Sequence, residues 1–160
     1  MRPNCSFEYY DKRHLFGMAK EDESFTAGKK RLIVDYKGWK ICPMICYDLR
    51  FPVWSRNQND YDLLIYIANW PEPRITHWQT LLKARAIENQ AFTIGLNRIG
   101  TDDNGLYYSG NSTVIMPDGM TIFEKEHEEK IQTVKLSKKY LEKVKTNLPF
   151  LQDADVFEIL

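Results

Sequence analysis

The run Asp62–Ala68 (DLLIYIA) constrains the fold most. Its apolar residues are continuous rather than alternating, and its length suits a strand, the pattern of a strand buried on both faces. The clearest helix follows at Arg74–Gln90. Ile75, Trp78, Leu82, Ala86 and Asn89 recur three or four apart there, and Pro71 and Pro73 sit just before the start. Ala91–Leu96 (AFTIGL) then reads as another strand.

Upstream, Arg31–Tyr36 and Trp39–Ile45 read as two strands joined by the turn Lys37-Gly38. Pro43 predicts an irregularity in the second, because proline cannot donate to a ladder. Phe51–Asn57 reads as a short helix with Pro52 in its first turn. Residues 12–30 and 100–110 read as loops. Pro117-Asp118-Gly119 predicts a hairpin turn between Ser112–Met116 and Met120–Lys125. Lys130–Leu136 reads as a strand, and Ser137 as the N-cap of a helix running to about Lys145. This mixed order predicts an α/β or α+β class. Residues 1–147 read as one domain portion, and 148–160 as a tail packing on the domain or on a partner subunit.

Lys+Arg and Asp+Glu both number 22, so formal charge is zero. A nucleic-acid footprint needs a basic excess, and none is present. The balance gives no reason to expect an anionic membrane as partner, and no apolar run reaches the ~18 residues that span a bilayer. The first residues carry no apolar stretch of the secretory type, so no leader is expected. Three cysteines, Cys5, Cys42 and Cys46, are an odd number without zinc-ribbon spacing. They fit a reduced, cytoplasmic chain. No metal-ligand cluster, phosphate loop or dinucleotide fingerprint is visible, so neither a metal nor a cofactor is expected.

Two segments carry chemistry. In Ile45-Cys46-Tyr47-Asp48-Leu49-Arg50-Phe51-Pro52, a cysteine ends a strand and precedes a short helix, where backbone N–H groups can face a reacting oxygen. The plainer reading is a packed cysteine, the usual state of a free thiol. In Tyr10-Asp11-Lys12-Arg13-His14-Leu15-Phe16, Lys12 is a cation that could favour a thiolate and hold an oxyanion. The plainer reading is a solvated basic pair. Asp48 reads as a turn former. Arg85 and Glu88 read as a structural or subunit-contact pair, and Cys42 as packing.

Together these segments resemble the nitrilase (carbon–nitrogen hydrolase) superfamily, with its Y-x-K-x-H-L-F and C-Y-D-x-R-F-P motifs in the right order. His77-Trp78 through Asn89 resembles its H-W-x-x-L-x-x-A-R-A-x-E-N helix. Gly110 through Gly119 resembles its hairpin. The resemblance implies an incomplete α-β-β-α sandwich of the nitrilase type, its N-terminal part missing. Pro3-Asn4-Cys5 falls at a family hairpin turn.

The same resemblance implies roles. Cys46 matches the nucleophile and Lys12 the catalytic lysine. Glu21 matches a second active-site glutamate, with Glu23 as a rival in the same loop. The N–H of Tyr47 matches an oxyanion donor, Arg50 a clamp for a substrate carboxylate, and Trp70 a pocket wall. It further implies a small amide substrate, an ω-amidase-like reaction on 2-oxo acid ω-amides, and a homo-oligomer. The family's general-base glutamate lies far upstream of the lysine, whereas eleven residues precede Lys12. The expectation is therefore a chain weak or inactive by itself. Two alternatives stay open: another small amide, nitrile or N-carbamoyl substrate, or a non-catalytic fragment or interaction module.

Overall fold

A computed structural model describes residues 5–159, so Pro3 and Asn4 of the expected first turn lie outside the described residues, as does Leu160 of the tail. Seven strands form the sheet: β1 (Val34–Tyr36), β2 (Trp39–Ile45), β3 (Leu63–Ala68), β4 (Phe92–Asn97), β5 (Ile99–Thr101), β6 (Tyr107–Ile115) and β7 (Thr121–Glu126). The helices are α1 (Pro52–Ser55), α2 (Ile75–Asn89) and α3 (Lys138–Asn147). The spatial order is β1-β2-β3-β4-β6-β5, with β7 on β6. β2, β3 and β4 run parallel, and the remaining pairs are antiparallel. Parallel neighbours need a crossover, and α2 supplies the one between β3 and β4. The class is mixed α/β.

Side chains alternate across each strand, so the sheet has two distinct faces. Cys42, Met44, Leu64 and Tyr66 pack beneath Trp78, Leu82 and Ala86 of α2 and beside Leu49 and Trp54. The approach of α2 is close. A β-carbon built on Gly95 of β4 would lie 2.4 Å from Leu82 Cδ1 and 2.7 Å from Trp78 Cζ2. On the other face, Leu141 of α3 seals Leu63 and Phe92, with Ile41, Ile65 and Ile94 around them. Ser137 Oγ caps α3 by accepting from Tyr140 N–H, and Lys138 pairs with Asp62 at the head of β3. Past α3 this face opens. Ile67 and Leu96 are 52% and 51% exposed. They line a groove of about 1070 Å3 with Val114, Phe123 and Lys125.

Several expectations change. The first strand is only Val34–Tyr36. Pro43 causes no break: β1 pairs no further than Ile41, so Pro43 sits on an edge, where a missing donor costs no ladder bond. The 100–110 loop contains the end of β5 and the start of β6. Lys130–Leu136 forms no strand, and Ile131 is fully exposed. The exposure of Ile67 shows that Asp62–Ala68 is covered on both faces only in part.

The helix Phe51–Asn57 shortens to α1. In the tail, Phe157 and Ile159 share a groove with Val53 and Trp54, and Leu148 O accepts from Gln90 Nε2 at 2.6 Å. Among the described residues, no helix is long and apolar enough to cross a membrane.

The Gly95 contact generates a test. A Gly95→Val change forces Leu82 and Trp78 apart and is expected to cost about 1–3 kcal/mol, read as a lowered urea midpoint at unchanged slope.

Candidate active site

Cys46 follows the last residue of β2 and begins a 3-10 helix, Cys46–Arg50. Its φ of +44° lies in the left-handed region, where a β-carbon is disfavoured. Such strain persists only when the surroundings impose it, and it clusters at functional sites. Here it turns the chain from strand to helix within one residue. The half-buried thiol then lies 3.9 Å from Asn69 O, beyond the end of the parallel neighbour β3. Tyr47 is next, in the first turn, where helical N–H groups lack intrahelical partners.

The imposing group is Asp48, which is fully buried. Its Oδ2 accepts from Tyr10 O–H at 2.7 Å and from Ile45 N–H at 3.1 Å. Its Oδ1 accepts from His14 N–H at 2.9 Å and faces His14 Nδ1 at the same distance. A carboxylate acceptor assigns the imidazole proton to Nδ1. His14 stacks on Phe51 at 3.7 Å, and Trp54 Nε1 donates to Tyr10 Oη at 2.8 Å. Burial, then the Asp48 charge, pushes the Tyr10 phenol far up, so it remains a donor. Asp48 thus closes its turn through Ile45 N–H, as expected, and is in addition a hub for Tyr10 and His14.

Lys12 lies midway between Tyr10 and His14, and the hub holds it from both sides. Its Nζ is 2.5 Å from Glu21 Oε2, which also accepts from Phe16 N–H at 2.8 Å. Burial raises the Glu21 carboxyl, yet those two donors and the Lys12 charge hold it below the usual carboxylate value. Glu23 pairs instead with Lys20 at 3.4 Å on the surface, so Glu21 is the glutamate that meets Lys12. Gly28 keeps the segment in place. Its N–H donates to Lys12 O at 2.8 Å, and a β-carbon there would lie 2.1 Å from Asp11 O. Burial pushes the Cys46 thiol above its ordinary value; the nearby Lys12 charge pulls the other way without overcoming it.

Arg50 and Trp70 also meet. The Arg50 guanidinium sits 4.8 Å from the Trp70 ring centroid, and Arg50 Nη2 is 3.1 Å from His77 Nδ1. Asn97 locks Trp70 from both ends of its backbone: Oδ1 accepts from Trp70 N–H at 2.7 Å, and Nδ2 donates to Trp70 O at 2.9 Å. Arg85 and Glu88 pair at 2.8 Å, and Arg85 Nη2 donates to Leu49 O at 2.6 Å, behind the 3-10 helix. Cys42 is fully buried, and burial raises its thiol to about 12. His127 is exposed beside Tyr107. The sequence did not reveal the hub of Asp48, the Asn97 lock or the His77 contact. The signal for the first was present in the aspartate two residues past the cysteine.

Replacing Asp48 by Asn keeps the shape but turns an NH2 group toward neighbours that all donate to the carboxylate. We expect a loss of about 2–4 kcal/mol, measured by urea denaturation. A change within 0.5 kcal/mol (about the range for a neutral surface substitution) would contradict the hub.

Comparison with known proteins places the chain in a family. The carbon-nitrogen hydrolase family profile matches residues 6–146. The chain is 51% identical to the omega-amidase YafV of Escherichia coli over 160 residues, 99% of this chain and 62% of that protein. It is 35% identical over 146 residues to a 2-oxoglutaramate amidase of Bacillus subtilis, covering 90% of this chain and 56% of that one. The solved structure of XC1258 from Xanthomonas campestris, a CN-hydrolase superfamily protein with an arsenic adduct in the active site, superposes with a TM-score of 0.96. Its identity is 42%, over 99% of this chain and 63% of that one. The chain thus spans less than two thirds of these relatives' length. With the profile covering most of its residues, the chain belongs to the carbon-nitrogen hydrolase family.

Proposed function

We propose that this chain carries the cysteine nucleophile of an ω-amidase-like hydrolase acting on small amides of 2-oxo dicarboxylic acids. The observation that carries the reading is the Lys12–Glu21 pair beside the Cys46 thiol at the end of a parallel strand. The names of the omega-amidase and 2-oxoglutaramate amidase relatives support the substrate class. In this reading Cys46 Sγ attacks the amide carbon. Lys12 Nζ and the Tyr47 N–H hold the oxyanion. The C–N bond breaks, ammonia leaves, and water hydrolyses the thioester. Arg50 binds the distal carboxylate in a planar, two-donor contact, with Trp70 as the wall behind it. We also read the protein as a cytoplasmic homo-oligomer, in keeping with its free cysteines and exposed apolar sheet face.

Acylation requires the thiol proton to reach the leaving nitrogen, and deacylation requires a base for water. The carboxylates that act electrostatically on Cys46 are Glu21 and Asp48, and both already accept from the donors named above. General acid–base help is worth about 10²–10⁴-fold. Residues 1–160 alone should therefore release ammonia from 2-oxosuccinamate at least about 100-fold more slowly than an intact ω-amidase. Cys46→Ser should abolish what remains. Turnover at the intact rate would overturn the slow-chain reading, and turnover surviving Cys46→Ser would overturn the nucleophile.

The raised thiol sets a pH dependence. Only the thiolate reacts, so alkylation of Cys46 by iodoacetamide should be slow at neutral pH. It should rise with pH through an inflection above the ordinary thiol value. Lys12→Met removes the opposing charge and should move that inflection further up. An unchanged inflection would separate Lys12 from the thiol.

A further inference from the structure

Arg50 has a partner of unusual kind. Arginine side chains held in place within proteins commonly face carboxylates, as Arg85 faces Glu88 here. Arg50 instead faces an imidazole nitrogen, His77 Nδ1, at 3.1 Å. A guanidinium has only donors, so Nδ1 must be the acceptor, and a neutral ring then carries its proton on Nε2. The second contact, the Trp70 face at 4.8 Å, also leaves the charge unneutralised. Together the two contacts restrict where the guanidinium can sit. His77 comes from the first turn of α2, and Trp70 from the loop after β3. Each is held independently of Arg50. Trp70 is clamped by Asn97, and its Nε1 donates to Arg74 O at 2.8 Å. Cys46 Sγ contacts Asn69 O, one residue before Trp70, so thiol and guanidinium flank the same short segment.

We propose that His77 is a positioning residue for carboxylate recognition: as a neutral acceptor it orients the Arg50 guanidinium while leaving its charge and remaining donors for the substrate. The inference rests on the reading of Arg50 as the carboxylate clamp. A carboxylate at position 77 would orient Arg50 equally well but would satisfy the charge that the substrate needs.

A pair of alkylating agents tests this without turnover: the chloromethyl ketone chlorolevulinate, which bears a carboxylate, and its uncharged methyl ester. With either, the Cys46 sulfur–carbon bond forms, the carbon–chlorine bond breaks, chloride departs and the thiol proton passes to buffer. Labelling is read by peptide mass at Cys46, with exposed Cys5 as the internal reference. The wild-type chain should favour the acid over the ester at Cys46. His77→Asn, whose side-chain oxygen replaces Nδ1 as acceptor, should keep that preference to within about twofold, and His77→Leu should lose about fivefold of it. His77→Asp should lose it too, and ester labelling should stay unchanged in all three.

Preference lost in Arg50→Ala but intact in His77→Leu overturns the role of His77 and spares the clamp. Preference absent in the wild type, or surviving Arg50→Ala, overturns the clamp itself. A fall in ester labelling that matches the fall in acid labelling marks His77 as merely structural and overturns the proposal.

Discussion

One buried carboxylate holds the Lys12 segment and the Cys46 turn together. Asp48 accepts from the Tyr10 hydroxyl and the His14 backbone, 38 and 34 residues away in sequence, and from Ile45 at the end of its own strand. A carboxylate excluded from water is costly unless its lone pairs are filled, and here donors from both segments fill them. The arrangement is therefore close to all-or-none. The turn that presents Cys46 and the segment that presents Lys12 share one acceptor, and neither can shift without leaving a buried oxygen unpaired.

The sheet decides where this clamp faces. β2, β3 and β4 are parallel, so their C-terminal ends lie side by side, and Cys46, Asn69–Trp70 and Asn97 fall at or just past those ends. Open α/β sheets place their ligands at that edge. The left-handed conformation of Cys46 and the Asn97 clamp on Trp70 are local consequences of turning three chains at one edge. Arg50, one turn along from the cysteine, completes the set with partners that leave its charge intact. The opposite sheet face is different in kind. α3 seals part of it, while Ile67 and Leu96 stay exposed on the strands that lead to Asn69–Trp70 and Asn97.

Much of this was legible in the chain. The helix read as Arg74–Gln90 is Ile75–Asn89, and the strand Trp39–Ile45 has its expected bounds. Ser137 caps the last helix as its side chain suggested. The motif pair around Lys12 and Cys46 pointed to segments that do meet. Other features were hidden. The resemblance pointed to Glu21 with Glu23 left as a rival, and the fold puts Glu21 against Lys12 and Glu23 on the surface. Lys130–Leu136 has strand composition, but ladder formation needs a neighbour, and the sheet provides none there. His77 stood in the sequence only as part of the helix motif, and its contact with Arg50 was hidden because that partner lies 27 positions away.

By itself the sequence determined the elements whose causes are local: apolar periodicity, a cap three residues from its donor, prolines at a helix start, a turn between two strand-like runs. It also named the candidate groups, Cys46, Lys12, Glu21 and Arg50. Only the tertiary structure decided which of them share a site. The bonds from Tyr10 and His14 to Asp48 and the His77–Arg50–Trp70 contact join residues brought together by strand order and register. Those depend on the packing of the whole sheet, so no spacing along the chain encodes them.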